Sequence, residues 1–163
     1  MRGRLTTVGV YGFSAESFLD ALRAAGVGRV IDVRQRRGVR GTEYAWANSK
    51  RLQAALAEAK VEYEHRPELA PTTELRRLQY AEDARRGEGK RSRSELAAEY
   101  VRRYTEEVLD PVDLEPIVSW VGSKRAALLC VERDPEACHR SLIAQRLGRE
   151  LDCTVAHLRP SQG

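Results

Sequence analysis

No stretch of this chain stays apolar for the roughly 18 residues that a membrane-spanning helix requires, which excludes a membrane bundle. Its first ten residues, MRGRLTTVGV, carry basic groups but neither an apolar signal core nor a small-residue cleavage site. Cysteine is scarce, and the three present are an odd number that cannot all pair internally; no C-x-x-C pair occurs. These absences together lead us to expect reduced thiols in the cytoplasm. Internal repeats and a Pro/Gly/Ser-rich linker are also missing, so one domain over residues 1–163 is expected, a length usual for one domain. What is present is a globular balance of 42% hydrophobic and 32% charged residues, which excludes a disordered tail or a collagen. Lysine and arginine number 28 against 24 acids, a net charge of +4 that permits a phosphate-bearing partner without demanding one.

Strand and helix patterns alternate along the chain. Leu5 to Val10, Arg29 to Val33, Val61 to His65, Ala126 to Val131 and Cys153 to Leu158 read as strands. Helical stripes lie between them. Ser14 is a candidate N-cap for a helix buried through Phe18, Leu19, Leu22 and Ala25, which stops at Gly26. Asn48 is placed to cap a helix carrying Leu52, Ala55, Leu56 and Ala59, and Pro71 to Glu74 opens another with Leu75 and Leu78. Residues 85–93, RRGEGKRSR, read as an exposed loop. Two further helices carry Leu96, Tyr100, Tyr104 and Val108, then Leu114, Ile117, Val118 and Val121. Asp134-Pro135-Glu136 has the form of an N-cap, a first-position proline and a first-turn acid, predicting a helix from there onward. Strands separated by helices imply parallel pairing, so we expect an α/β three-layer sandwich with a mostly parallel sheet of about five strands.

In such folds ligands bind beyond the carboxyl ends of the strands. There the sequence places Tyr11 and Ser14, then Asp32 and Arg34, then His65 and Glu68, and finally Cys130, Glu132 and the segment Cys138-His139-Arg140-Ser141. On a helix running from Asp134, Arg140 shares a stripe with Ile143, Leu147 and Leu151, so it should point inward near the helix start and cradle an anion with Ser141. The alternative is that Arg140 pairs with Asp32 or Glu132 and stitches the loop. Cys138 is expected on the opposite face. Cys130 becomes a nucleophile only if its neighbours lower its pKa; otherwise it is a small buried hydrophobe. His65, Glu68, Glu132 and His139 are candidate proton carriers. Cys130, Cys138, His139, His65, Glu68 and Glu132 are metal-ligand types, but their spacing matches no compact zinc pattern, so no metal ligands are assigned and no cofactor is expected. Arg36, Arg37 and Arg40, followed by Tyr44 and Trp46, suit nucleic acid, with Lys90, Arg91 and Arg93 as a second basic cluster.

The segments VGVYGFSAESFLDALRAAGVGRVIDVR, YEHRPELA and LLCVERDPEACHRSLIAQRL, in that order, resemble the domain-of-unknown-function 488 family. The resemblance implies a single α/β domain of a prokaryotic family without an established activity. It implies family hallmark positions at Gly12, Ser14, Asp32, Arg34, His65, Glu68, Cys130, Glu132, Cys138, His139 and Arg140. The chain departs from the family pattern at Ala70, where glycine is usual, and at Gln35-Arg36-Arg37-Gly38, where proline and serine are usual; the second change makes that loop more basic. The VIDVR strand is also similar to one in rhodanese domains, a weak analogy for sulfur transfer.

The expectation is therefore an enzyme that acts on a phosphate-bearing substrate, a nucleotide or nucleic acid, with no membrane partner. Arg34, Arg140 and the helix terminus would hold the anion, with Tyr11, Ser14 and Ser141 beside them, and Asp32 would orient Arg34 or a substrate hydroxyl. The alternatives are a non-catalytic nucleic-acid-binding module using the basic loops, and a metal-stabilised or sulfur-transfer-like cysteine site.

Overall fold

The computed structural model describes residues 5–89, 93, 95–122 and 124–161. Five parallel strands form the sheet: β1 (Leu5–Gly9), β2 (Val27–Asp32), β3 (Glu62–His65), β4 (Arg125–Cys130) and β5 (Val155–Leu158), in the order β3-β2-β4-β1-β5. The apolar runs go to the middle. β1 and the last five residues of β4 are buried throughout, as both faces of a parallel sheet require, while β3 and β5 at the edges are half-buried or exposed. Two buried threonines in β1 find partners: Thr6 Oγ1 donates to the Ala126 carbonyl (3.2 Å), and Thr7 Oγ1 pairs with His157 Nδ1 (2.6 Å).

Helices α1 (Ala15–Ala24), α2 (Ser49–Glu58), α3 (Thr73–Arg85), α4 (Ala98–Tyr104), α5 (Glu115–Val121) and α6 (Arg140–Glu150) connect the strands and complete a three-layer α/β sandwich. A wide turn, Thr105–Leu109, prolongs α4, and short 3₁₀ turns occupy Thr42–Ala47, Pro67–Leu69 and Pro135–Ala137. Ser14 caps α1 through a box with Ser17, each side chain accepting from the other's backbone N–H. Thr72 caps α3 by accepting from Leu75 N. From β1 the chain crosses toward β2 and β3; from β4 it crosses back toward β5. These two neighbours therefore send their connections in opposite directions, which opens a crevice at their carboxyl ends.

Three local expectations are corrected. Asn48 does not cap α2; its Oδ1 accepts instead from Val39 N (2.7 Å) and ties down the basic loop. No helix runs on from Asp134. Its carboxylate pairs with Arg159 (3.1 Å) rather than capping, and the 3₁₀ turn ends at an extended Cys138 (φ −138°, ψ 142°) before α6 begins at Arg140. The stretch 85–93 is not wholly exposed, because Arg93 turns inward to meet two buried carboxylates, while Lys90 and Arg91 lie outside the described residues.

Candidate functional site

A cavity of about 730 Å³ opens at the carboxyl ends of β2 and β4. Its floor contains Cys130, Glu132, Cys138 and His139; Tyr11, Arg34, Arg36 and Arg40 line it from the loops after β1 and β2; and Arg76, Gln79, Tyr80, Arg93 and Tyr100 come from α3, α4 and the segment between them. The volume lies within the range of small-molecule sites.

Backbone geometry builds the floor. Gly9 ends β1 with the carbonyl of Glu132 against it: a Cβ there would lie 1.8 Å from the Glu132 oxygen. Arg140 is fully buried and holds the same carbonyl, donating from Nη1 to Glu132 O (2.6 Å) and from Nη2 to Arg133 O (3.2 Å). The break before α6 turns Cys138 inward, where the Arg140 backbone N–H donates to its sulfur at 3.5 Å. Cys130, Cys138 and His139 then converge. Both sulfurs stand 3.8 Å from His139 Nδ1, and the three donor atoms lie within 4.8 Å of one another. Because the Val33 carbonyl can only accept, His139 Nε2 must carry a proton and donate to it (3.0 Å). Nδ1 thus faces the two sulfurs with its lone pair or a shared proton.

The electrostatics of the cluster are uneven. Cys138 is pushed up by burial, but hydrogen bonding from Cys130 and the charges of His139 and Arg140 outweigh that and hold it well below an ordinary thiol. Cys130 is driven well above one by its hydrogen bond to Cys138, by burial and by the charge of Glu132. Burial lowers the His139 pKa, but the charge and hydrogen bond of Cys138, the charge of Glu132 and the hydrogen bond to Val33 together outweigh it and leave a net rise. Cys138, not Cys130, is therefore the sulfur with thiolate character. Beside them Glu132 receives the Cys130 thiol at 3.5 Å and Arg93 at 3.3 Å. Arg93 is also clamped by Asp83 through three contacts of 2.7–3.0 Å, and Gln79 donates to Asp83 at 2.8 Å. Burial raises the Tyr100 hydroxyl well above its usual range, so it stays protonated on the cavity wall.

Other candidate residues have different surroundings. Arg34 and Asp32 form a buried bidentate pair (2.8 and 2.9 Å); Arg34 also donates to Ala47 O, and Asp32 accepts from the Tyr63 hydroxyl (2.5 Å). Arg34 borders the cavity with only 2% of its surface exposed, whereas Asp32 and Arg140 are not on the lining. The side chains of Arg34 and Arg140 are engaged by protein acceptors. His65, at the end of β3, donates from Nε2 to Arg34 O (2.8 Å), and Glu68 is exposed on the Pro67–Leu69 turn; neither lines the cavity. Ser14 serves the α1 cap, and Ser141 donates to the Cys138 carbonyl (2.9 Å). Arg37 donates to the Tyr63 hydroxyl (3.3 Å), away from the lining, while Arg36 and Arg40 stand exposed at the mouth. Tyr44 stacks at a tilt on Tyr11 (5.2 Å) and Trp46 packs on Phe18 (4.9 Å). Asp83, Gln79, Arg76 and Gly9 escaped sequence reasoning. A buried-face acid at Asp83, four residues after Gln79 on α3, was the available signal.

The family described as Domain of unknown function DUF488 matches residues 14–147, a span that covers most of the chain and includes Cys130, Glu132, Cys138 and His139. The chain belongs to the DUF488 family. No curated protein and no solved structure matches it. Membership of DUF488 carries no substrate or catalytic role with it, so the chemistry must be argued from the cavity itself. Among the described residues no helix is long and apolar enough to cross a membrane.

Proposed function

We propose that this DUF488 protein is an enzyme acting on a phosphate-bearing substrate, a nucleotide or a nucleotide unit of a nucleic acid, within the cavity above Cys130, Glu132, Cys138 and His139. The observation that carries this reading is that one cavity joins a floor of sulfur, imidazole and carboxylate groups to walls bearing arginines and tyrosines. Guanidinium groups match phosphate oxygens in pairs, and phenol rings offer a face to a base. Arg36 and Arg40 come from the loop after β2, while Arg76 projects from α3, where it donates to Gln35 Oε1 (2.6 Å) and to the Tyr80 hydroxyl (3.3 Å).

In this reading Arg34 and Arg140 are positioning residues, not anion ligands. Arg140 fixes the backbone of Glu132, and Arg34 holds the base of the loop that presents Arg36 and Arg40. Proton transfer falls to Glu132, which lines the cavity, in place of His65 and Glu68, which do not. A module that only bound nucleic acid would have no use for the buried sulfur and carboxylate floor.

The test is a binding titration with a nucleoside, the matching nucleoside monophosphate and inorganic phosphate. The monophosphate should bind best, and Arg36→Ala or Arg76→Ala should each weaken it about 10- to 100-fold, the loss of one charged hydrogen-bond partner. Arg23→Ala, at a distant exposed pair with Asp20, should leave it unchanged. Equal affinity in all three variants would end the proposal. Binding that survives in the Arg36 and Arg76 variants but falls steeply with salt would favour the nucleic-acid module instead.

A further inference from the structure

We infer that Cys130, Cys138 and His139 form a binding site for a thiophilic divalent cation of the zinc type, whose remaining coordination position opens on the cavity. Zinc takes sulfur at about 2.3 Å and imidazole nitrogen at about 2.0–2.1 Å in a tetrahedral array. That geometry requires sulfur and nitrogen to stand about 3.6 Å apart and two sulfurs about 3.8 Å apart. Both observed sulfur–nitrogen distances are 3.8 Å, and all three donor atoms lie within 4.8 Å of one another. Each sulfur–nitrogen contact therefore shortens by a few tenths of an ångström, and the sulfur–sulfur separation by no more than about 1 Å, to close on an ion.

Two further features suit the same ligand set. The His139 tautomer is already chosen, since Nε2 donates to the Val33 carbonyl and Nδ1 is left facing the sulfurs, the usual outer support of a metal-bound imidazole. Two sulfurs and one nitrogen select a soft or borderline cation over magnesium or calcium. Three protein donors beside an open space match the catalytic rather than the closed structural class of zinc site. Glu132, with Oε2 3.5 Å from Cys130 Sγ and Oε1 3.3 Å from Arg93, borders that space. On loading, two protons pass to solvent, one from Cys130 and one held between Cys138 and His139 Nδ1, and the cation takes their place. The ligands are separated by seven intervening residues and then by none, so no compact spacing advertises them.

The site stands on this geometry alone. Its use in activating a water or substrate oxygen at the open position rests on the cavity being the active centre. The experiment strips the full-length protein with a chelator under reducing conditions, confirms its fold by circular dichroism, and titrates it with Co(II) and then Zn(II). One equivalent of cobalt should give the visible bands of a tetrahedral site and a thiolate-to-cobalt charge-transfer band, both removed by one equivalent of zinc. Cys138→Ser and His139→Gln should each weaken cobalt binding at least tenfold, while Cys153→Ser, outside the cluster, should match the wild type. A wild-type protein that is folded and reduced yet shows no thiolate charge-transfer band overturns the proposal without reference to any variant. So does a band that persists with both Cys130 and Cys138 replaced by serine. No nucleotide enters these measurements. A retained cobalt spectrum beside failed phosphate binding would sink the substrate reading alone, and the reverse result would sink the metal site alone.

Discussion

Replacing Gly9 by alanine should damage the candidate site more than any surface change of equal size. The added Cβ would sit 1.8 Å from the Glu132 carbonyl oxygen, 2.7 Å from its carbon and 3.2 Å from Arg140 Nη1. Neither side has slack: β1 is the buried neighbour of β4, and Arg140 is fully enclosed. The chain leaving β4 must retreat by roughly 1.2 Å to restore a tolerable contact, which in a close-packed interior strains side chains on both strands. Overpacking of this kind costs about 3 kcal/mol, or about 6–12 °C in melting temperature for a chain of this size. The retreat also pulls Glu132 O from Arg140 Nη1, now at 2.6 Å, and shifts the Glu132 carboxylate against Cys130. Thermal unfolding followed by circular dichroism, together with the cobalt titration, reads both effects. A variant that melts within about 2 °C of the wild type and binds cobalt equally would refute the claim that Gly9 sets the floor.

Arg93→Met leaves Asp83 and Glu132 buried without their shared cation, and should destabilise by about 3–5 kcal/mol, measured by urea unfolding; a loss under about 1 kcal/mol would mean that solvent already screens the pair. Ser14→Ala should remove about 1 kcal/mol from α1 and leave ligand affinity untouched; an altered affinity would return Ser14 to the site. Alkaline pH offers a third check. Burial first, against a hydrogen bond from Arg37 and reinforced by the Asp32 charge, pushes the Tyr63 hydroxyl up to about 12. A raised value makes its contribution complete below the ordinary tyrosine range near 10 and lost as pH climbs toward 12. Stability should therefore fall over that interval, with a shallower slope in Tyr63→Phe; identical slopes would contradict the Tyr63–Asp32 bond.

The sequence was most legible where local chemistry decides structure. The alternation of apolar strands and helical stripes fixes the parallel sheet, and Ser14 caps its helix as its type and place suggest. It was least legible where distant groups meet. Arg93 sits in a run of charges that reads as a solvated loop, and only the fold brings Asp83 and Glu132 to it. Cys138 falls on the wrong side when Asp134 is read as a cap. That reading starts the helix five residues early, although Asp134 answers to Arg159 and an extended residue resets the phase before α6. Gly9 reads as an ordinary strand residue, since nothing nearby in the chain reveals the backbone that lies against it. Arg140 turns inward as its stripe with Ile143, Leu147 and Leu151 predicts, yet its acceptors are carbonyls of the protein itself, and Arg34 is likewise taken up by a carbonyl and a carboxylate.

The most direct trial of the account is a crystal structure of the protein soaked with a nucleoside monophosphate at saturating concentration. The phosphate is expected within hydrogen-bond reach of Arg36 or Arg76, its sugar and base against Tyr11 or Tyr80, and its reactive end over Glu132 and the Cys130–Cys138–His139 floor. Density for the ligand on any other face, with the cavity left to solvent, would contradict it.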